Sequence, residues 1–212
     1  MKSEPLLRVD GPDWPRQAAF SFFSQLDHPF YTVSLRLDVT KLYAFVKAHG
    51  LSFYHTLVYF CTQSLNTVEN FRYTIRGGGV YLLPRREPSF THLEQGGEQF
   101  RIITLPCGDS LEAFCRAAAE KAASQTSFLD QGEETDDLVY FSCLPWFDLT
   151  CCTNERNMDV DDAIPRICWG KFVERGGRRE LGLSIEVNHR LIDGVHIGRF
   201  YEALQQQLNS LL

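Results

Sequence analysis

An α+β sandwich, a β-sheet with helices packed against it, is the fold class this sequence predicts. Segments that alternate apolar and polar residues with a period of two are mixed with segments whose apolar residues recur every three to four. The helices do not read as crossovers between successive strands, which sets the pattern apart from a doubly wound sheet. Glycine clusters between β-rich segments signal hairpins. The 212 residues suit one domain, 1–212, and 44% hydrophobic with 13% aromatic residues supply a sizeable core.

The first helix is expected to begin at Pro15, where a missing N–H costs nothing, and to run through Phe20 to Phe23. Tyr31, Val33, Leu35, Leu37 and Val39 alternate with Thr32, Ser34, Arg36 and Asp38, a strand with one buried face. Thr40 offers an N-cap for a helix ending at Gly50, and Ser52 caps the next, which contains Leu57, Val58, Phe60, Cys61 and Leu65. Segments 71–75 and 80–83 flank Gly77-Gly78-Gly79 as a hairpin. Residues 100–105 read as strand, alanine-rich 109–124 as helix, and 131–137 as an exposed acidic loop. Strands follow at 139–144 and 166–173, with 174–178 as a second hairpin turn. The alternating segment 181–187 is the last strand. Val195, Ile197, Phe200, Tyr201, Leu204, Leu208 and Leu211, spaced by three and four, make the closing helix.

Charge and composition exclude several function classes. A net charge of −6 and a pI near 5.5 argue against a nucleic-acid surface, and the one basic run is the short turn from Arg175 to Arg179. The start, Met1 to Pro5, has no apolar h-region, and no 18-residue apolar run occurs, so neither membrane insertion nor secretion is expected. Seven cysteines are an odd number without metal spacing. They read as buried free thiols in a reducing cytoplasm. His28, His49, His55 and His92 lack carboxylate or cysteine partners at ligand spacing, so no metal site is expected.

The chemistry concentrates in Asn188-His189-Arg190-Leu191-Ile192-Asp193-Gly194, between the last strand and the last helix. His189 sits at a strand end, and Gly194 permits the sharp turn into the helix. A neutral imidazole is the side chain best matched to removing a proton near pH 7. Asp193 can fix the turn through its backbone or pair with a cation. A plain loop histidine beside an Asp-Gly turn is the alternative reading of the bare motif.

This HxxxDG segment resembles the signature of the chloramphenicol acetyltransferases, usually His-His-x-x-x-Asp-Gly, and that of the dihydrolipoyl acyltransferase cores, usually Asp-His-Arg-x-x-Asp-Gly. Other segments are similar to the first family in the same order. They are Trp14-Pro15-Arg16 with Phe20, Leu37-Asp38-Val39-Thr40, Ser52-Phe53-Tyr54, Asn70-Phe71-Arg72, Pro145-Trp146 and Gly170-Lys171-Phe172. The resemblance spans nearly all of the 212 residues. It implies a two-layer α+β sandwich with a mixed sheet. It also implies an O-acetyltransferase of the antibiotic-resistance type, moving acetyl from acetyl-CoA to a hydroxyl of chloramphenicol or a similar small acceptor.

Roles implied by the resemblance fall on particular residues. His189 is the general base, taking the acceptor's hydroxyl proton as that oxygen attacks the thioester; no acyl-enzyme forms, and the imidazole returns the proton to the leaving thiolate. Asp193 does not touch this histidine but forms a buried salt bridge with Arg16. Phe22, Phe23 and Phe100 match aromatic walls of the acceptor slot, Phe172 matches the aromatic of a Gly-Lys-Tyr segment at the acetyl-CoA site, and His196 matches a non-catalytic histidine. A homotrimer is implied, with His189 facing a neighbour's pocket.

Three polar positions depart from the family. Counting without gaps from Pro145 to Pro165, Cys151 stands where the family has its oxyanion-binding serine, and a thiol is the weaker donor. Thr150 beside it, if on a strand, points to the opposite face. Cys168 replaces a threonine, and Asn188 replaces the first histidine. Cys151 as a nucleophile finds no support, because no helix N-terminus or nearby cation lowers its pKa. Two other readings stay open: a dihydrolipoyl-type acyltransferase, which Asn188-His189-Arg190 favours and the lack of a lipoyl domain disfavours, and a weakly active ligand-binding homologue.

Overall fold

The structure is a computed structural model, and it describes residues 6–156, 159 and 161–212, so Met1 to Pro5 lie outside the described residues. In chain order the strands are β1 Leu7–Arg8, β2 Phe30–Asp38, β3 Tyr73–Arg76, β4 Gly79–Leu82, β5 Glu87–Leu93, β6 Phe100–Thr104, β7 Leu138–Leu144, β8 Arg166–Gly170, β9 Val173–Arg175 and β10 Arg178–Asn188. The helices are α1 Gln17–Phe23, α2 Thr40–His49, α3 Phe53–Asn66, α4 Leu111–Ser124 and α5 Gly194–Ser210. No helix among the described residues is long and apolar enough to cross a membrane.

The main sheet runs in the order β2-β10-β8-β7-β5-β6, with β9 paired to β10. It is mixed: β7 pairs parallel with β5 and β8, while the other neighbours are antiparallel. A small antiparallel sheet, β1-β4-β3, stands apart. Helices packed on a mixed sheet give the α+β sandwich that the pattern of periods predicts.

Alternation along the strands splits the main sheet into two faces. Leu35, Leu183, Ile185, Ile167, Trp169, Phe141 and Phe90 join the hydrophobic core with Leu57, Val58, Cys61 and Leu65 of α3 and Phe200, Leu204 and Leu208 of α5. The other face carries Ser34 and Arg36 of β2, Gly182, Ser184 and Glu186 of β10, Arg166 and Cys168 of β8, and Ser142 of β7, in register. This polar face is also buried, with Ser184 at 1% and Glu186 at 5% exposure.

Several local expectations need correction. The helix 40–49 starts at Thr40 itself rather than being capped by it: Asp38 Oδ1 accepts from Thr40 N at 2.9 Å, and Thr40 Oγ1 is occupied by Arg179 N at 2.8 Å. Pro15 lies in the turn before α1, which starts at Gln17, and Ser110 caps α4 by accepting from Ala113 N. Segment 71–75 begins as a 3₁₀ turn over Glu69–Arg72, and the expected strand 166–173 breaks after Gly170. Strand β5 had no counterpart in the sequence pattern. The two hairpin turns do form, with Gly77 and Gly78 at φ +56° and +76° and Gly176 and Gly177 at +55° and +78°. Glycine takes two successive positive φ values without strain.

Arg86 is a core element that patterning did not single out. It is fully buried, and its guanidinium donates to five backbone carbonyls, those of Phe71, Tyr73, Asp136, Leu138 and Ala163. Burial pulls its pKa down to about 10, which still leaves it charged near neutrality.

Candidate active site

The eleven-residue strand β10 ends at Asn188, and the chain turns at once into α5. Leu191 N and Ile192 N both donate to Asn188 O at 3.1 Å, closing the turn. Asn188 turns its side chain to the loops, donating to Asp162 O and accepting from Arg190 N, each at 3.0 Å. His189 N donates to Pro29 O at 2.7 Å, which ties the histidine to the start of β2.

Arg16 enters this turn from the residue before α1. Its Nη1 donates to Asp193 Oδ2 and its Nη2 to Asp193 Oδ1 at 2.8 Å, a two-pronged pair. Its Nε also donates to Arg190 O at 2.7 Å and Nη2 to His189 O at 2.6 Å. The Arg16 side chain is 8% exposed, but that of Asp193 is 38% exposed, so the pair is buried only on the arginine side. The guanidinium holds the Asp193 carboxyl below the usual carboxylate range.

His189 Nε2 lies 3.2 Å from Asp193 Oδ1, so the two side chains do touch, contrary to the expectation that Asp193 stands clear of the histidine. The carboxylate bridges arginine and imidazole because both converge on it from one turn. Phe23 stacks on the imidazole at 3.8 Å between centroids and 23° between planes, and Tyr31 lies at 4.3 Å. Burial, and then the positive Arg16, hold the His189 pKa below its ordinary value against the opposing pull of Asp193. The imidazole is therefore neutral at pH 7. Phe22 meets Phe23 edge-on at 5.1 Å and is itself 61% exposed. His196 accepts from Asp193 N through Nδ1 at 2.8 Å, a helix-capping role.

A larger cavity of about 680 Å³ opens on the polar face of the sheet, lined among others by Phe100, Phe128, Tyr140, Ser142, Cys152 and Cys168. No residue of the histidine corner lines it. Phe100 and Cys168 thus share one cavity, while Phe22, Phe23, His189, Asp193 and Arg16 gather elsewhere. Thr153 and Asn154 line both this cavity and a smaller one of about 400 Å³ beside Tyr31. Phe172 lies in neither; it packs against Tyr43 and Phe53, with the Arg179 guanidinium 6.0 Å away.

The segment after Pro145 is not a strand, so strand alternation does not decide between Thr150 and Cys151. It lies as a strap along the polar face of β10. Leu149 rests on paired glycines: a Cβ at Gly182 would come within 1.8 Å of Leu149 O, and one at Gly170 within 2.6 Å of Leu149 Cβ. Three residues further, Cys152 N donates to Ser184 Oγ at 2.9 Å, and then Asn154 N donates to Glu186 Oε2 at 3.1 Å. Asp148 anchors the near end through Arg36 and Arg175. Cys151 is exposed and outside both cavities, and its neighbour Cys152 is the thiol that faces the larger one. Cys143 and Cys152 are half-buried, so the expectation of uniformly buried thiols holds only for Cys61, Cys107, Cys115 and Cys168. Sequence reasoning missed Tyr31, Cys152 and the strap's contacts, for which no local motif exists. No cluster of three or more potential metal ligands occurs among the described residues.

Known proteins share both sequence and shape with this chain. The family model of the chloramphenicol acetyltransferases matches residues 6–205. Chloramphenicol acetyltransferase 3 of Escherichia coli is 26% identical over 208 residues, covering 97% of this chain and 98% of that protein. A chloramphenicol acetyltransferase of Bacillus pumilus is 26% identical over 195 residues, covering 90% and 88%. A solved chloramphenicol acetyltransferase structure superposes with a TM-score of 0.84 at 20% identity, covering 96% of this chain and 99% of that one. The Azotobacter vinelandii dihydrolipoamide acetyltransferase superposes with a TM-score of 0.68 at 21% identity, covering 99% and 92%. By its match over nearly its whole length, this chain belongs to the chloramphenicol acetyltransferase family and is an acyltransferase.

Proposed function

We propose that this protein moves an acetyl group from acetyl-CoA to a hydroxyl of chloramphenicol or a similar small acceptor, with His189 as general base. The supporting observation is a neutral imidazole held between aromatic rings by a turn that Arg16 and Asp193 brace. The unprotonated nitrogen of that imidazole takes the hydroxyl proton as the acceptor oxygen attacks the thioester carbonyl, and the imidazolium then protonates the departing thiolate. Phe22 and Phe23 contribute an apolar wall beside the reacting hydroxyl. Phe172 with Arg179 offers the nucleotide end of acetyl-CoA an aromatic face and a cation.

The second component is assembly. The histidine corner and the larger aromatic cavity occupy separate parts of one chain. A cyclic homotrimer brings the histidine of one subunit to the cavity of the next, where Phe100, Cys168 and the Cys151 loop meet the acceptor, and cyclic closure makes such a contact self-limiting. Cys151 would supply the oxyanion donor, a thiol in place of a hydroxyl.

Coenzyme A release from acetyl-CoA, followed with a panel of alcohols, chloramphenicol and dihydrolipoamide, tests the reaction, and sedimentation tests the assembly. Release dependent on an alcohol acceptor by a trimer is expected. Release only with dihydrolipoamide would favour the lipoyl-type reading, binding without release a ligand-binding homologue, and an active monomer would remove the shared site.

A further inference from the structure

The strap on β10 brings together two thiols on the wall of the larger cavity. Ser34, Ser184, Cys168 and Ser142 are register partners across β2, β10, β8 and β7, so their side chains form one row on the polar face. Directly opposed residues on antiparallel strands stand about 4.5–5.5 Å apart at Cβ. Ser184, the neighbour of Cys168 in that row, accepts from Cys152 N at 2.9 Å and meets Ser34 Oγ at 2.8 Å. The Cys152 backbone is thereby pinned beside Cys168, its thiol donating to Thr153 O at 3.3 Å, and both residues line the cavity of about 680 Å³. The Leu149 backbone, seated on Gly170 and Gly182, sets the height of the strap above the sheet. Burial, and next the adjoining Cys152, push the Cys168 thiol up to about 12, so each thiol senses the other.

A protonated, buried Cys168 is a poor nucleophile toward disulfides and alkylating agents, which need the thiolate. A soft trivalent centre makes a different demand, because it condenses with thiols and favours sulfur ligands. We propose that Cys152 and Cys168 form a dithiol site for a trivalent aryl arsenical, held through both sulfurs with its ring in the aromatic cavity. The reaction is Ar–As=O with two thiols giving Ar–As(S–)₂ and water. Two As–S bonds form, the As=O bond and two S–H bonds break, both protons leave in the water, and arsenic keeps its oxidation state. Phe100, Phe128 and Tyr140 provide the apolar lining that an aryl ring fills. After the first As–S bond the second is intramolecular, which gives a bidentate reagent its advantage. The site shares its cavity and Cys168 with the proposed acceptor site, but capture of the arsenical needs no acetyl-CoA and is read without acetyl transfer.

Phenylarsine oxide titrated against the intact protein, without acetyl-CoA, tests this by intact mass and by counting free thiols. One phenylarsenic group per chain is expected, with two thiols lost, reversed by 1,2-ethanedithiol and resistant to a monothiol at equal thiol concentration. Cys152→Ser on the strap should weaken capture by at least about 10²-fold, the loss of bidentate attachment. Cys151→Ser should leave it unchanged, and Cys168→Ser should match Cys152→Ser. Unchanged capture in Cys152→Ser overturns the proposal. So does loss in Cys151→Ser, which would put the reagent on the adjacent pair Cys151 and Cys152. Should Cys168→Ser fail to fold, Cys152→Ser decides alone, since Cys152 lies in a half-exposed loop.

Discussion

Replacing Asp193 with alanine separates the two sides of an ion pair that are unequally buried. The Arg16 side chain, 8% exposed, loses both carboxylate contacts and keeps only its bonds to Arg190 O and His189 O. Stranding a fully buried charge costs about 3–5 kcal/mol. Two carbonyl partners remain, so the low end, about 3 kcal/mol, is expected. For a chain of this size that lowers Tm by about 6–12 °C. Thermal unfolding should be followed at fixed protein concentration, because assembly shifts apparent stability. Asp193→Asn keeps one acceptor oxygen and should lose less. The pH dependence has a definite sign. Arg16 holds the Asp193 carboxyl below its ordinary pKa, so the pair stabilises above the unfolded carboxylate range and is lost as pH falls through the folded value. The difference between wild type and Asp193→Asn should therefore shrink in acid. An Asp193→Ala midpoint within error of wild type at pH 7 would refute the claim that this pair braces the turn.

Three further outcomes can be checked separately. His189→Ala should cut acetyl transfer by about 10²–10⁴-fold with folding intact; a variant keeping more than a tenth of the rate would end the base assignment. Gly182→Ala should destabilise by about 1–3 kcal/mol by forcing Leu149 O off a Cβ that would otherwise stand at 1.8 Å, and an unchanged denaturant midpoint would contradict the strap's seat. His55 is buried with its Nδ1 unpartnered and its pKa pulled down to about 4, mainly by burial and further by His92. It binds its proton more readily in the unfolded chain, so stability should fall by up to about 3 kcal/mol as pH drops from about 6.5 to about 4, and His55→Phe should flatten that slope.

Legibility in the sequence followed how local each cause was. Strand β2 and helix α5 announce themselves because each has one buried face, at periods of two and near 3.6. Strand β5 escaped because Pro88 is its second residue and Ser89, Thr91 and His92 flank a single core residue, Phe90. Its pairing with β7 and β6 makes it a strand, and those partners lie far away in the chain. Arg86 gave no signal next to Arg85, since five carbonyls converge on it from elements that only the fold assembles. In the site, Arg16, His189 and Asp193 were legible as parts of ordered motifs. Contact between Asp193 and His189 was not, because it depends on side-chain rotamers within the turn.

The polar face of β10 shows how a correct period can hide a site. Gly182, Ser184 and Glu186 alternate with Leu183, Ile185 and Val187, a period that by itself does not tell a solvated face from a covered one. They are small or polar because this face is covered. Glycine at 182 leaves room for Leu149 O, serine at 184 accepts from Cys152 N, and Glu186 accepts from Asn154 N and pairs with Arg156. Each choice meets a backbone atom of the strap at every second residue of the strand, so the strap runs in step with the pleat. A face built to hold another segment carries the same alternation as one built to face water, because both exclude large apolar side chains. What separates them is burial, and burial here comes from a loop whose own sequence has no period. The thiols of the larger cavity owe their neighbourhood to that loop.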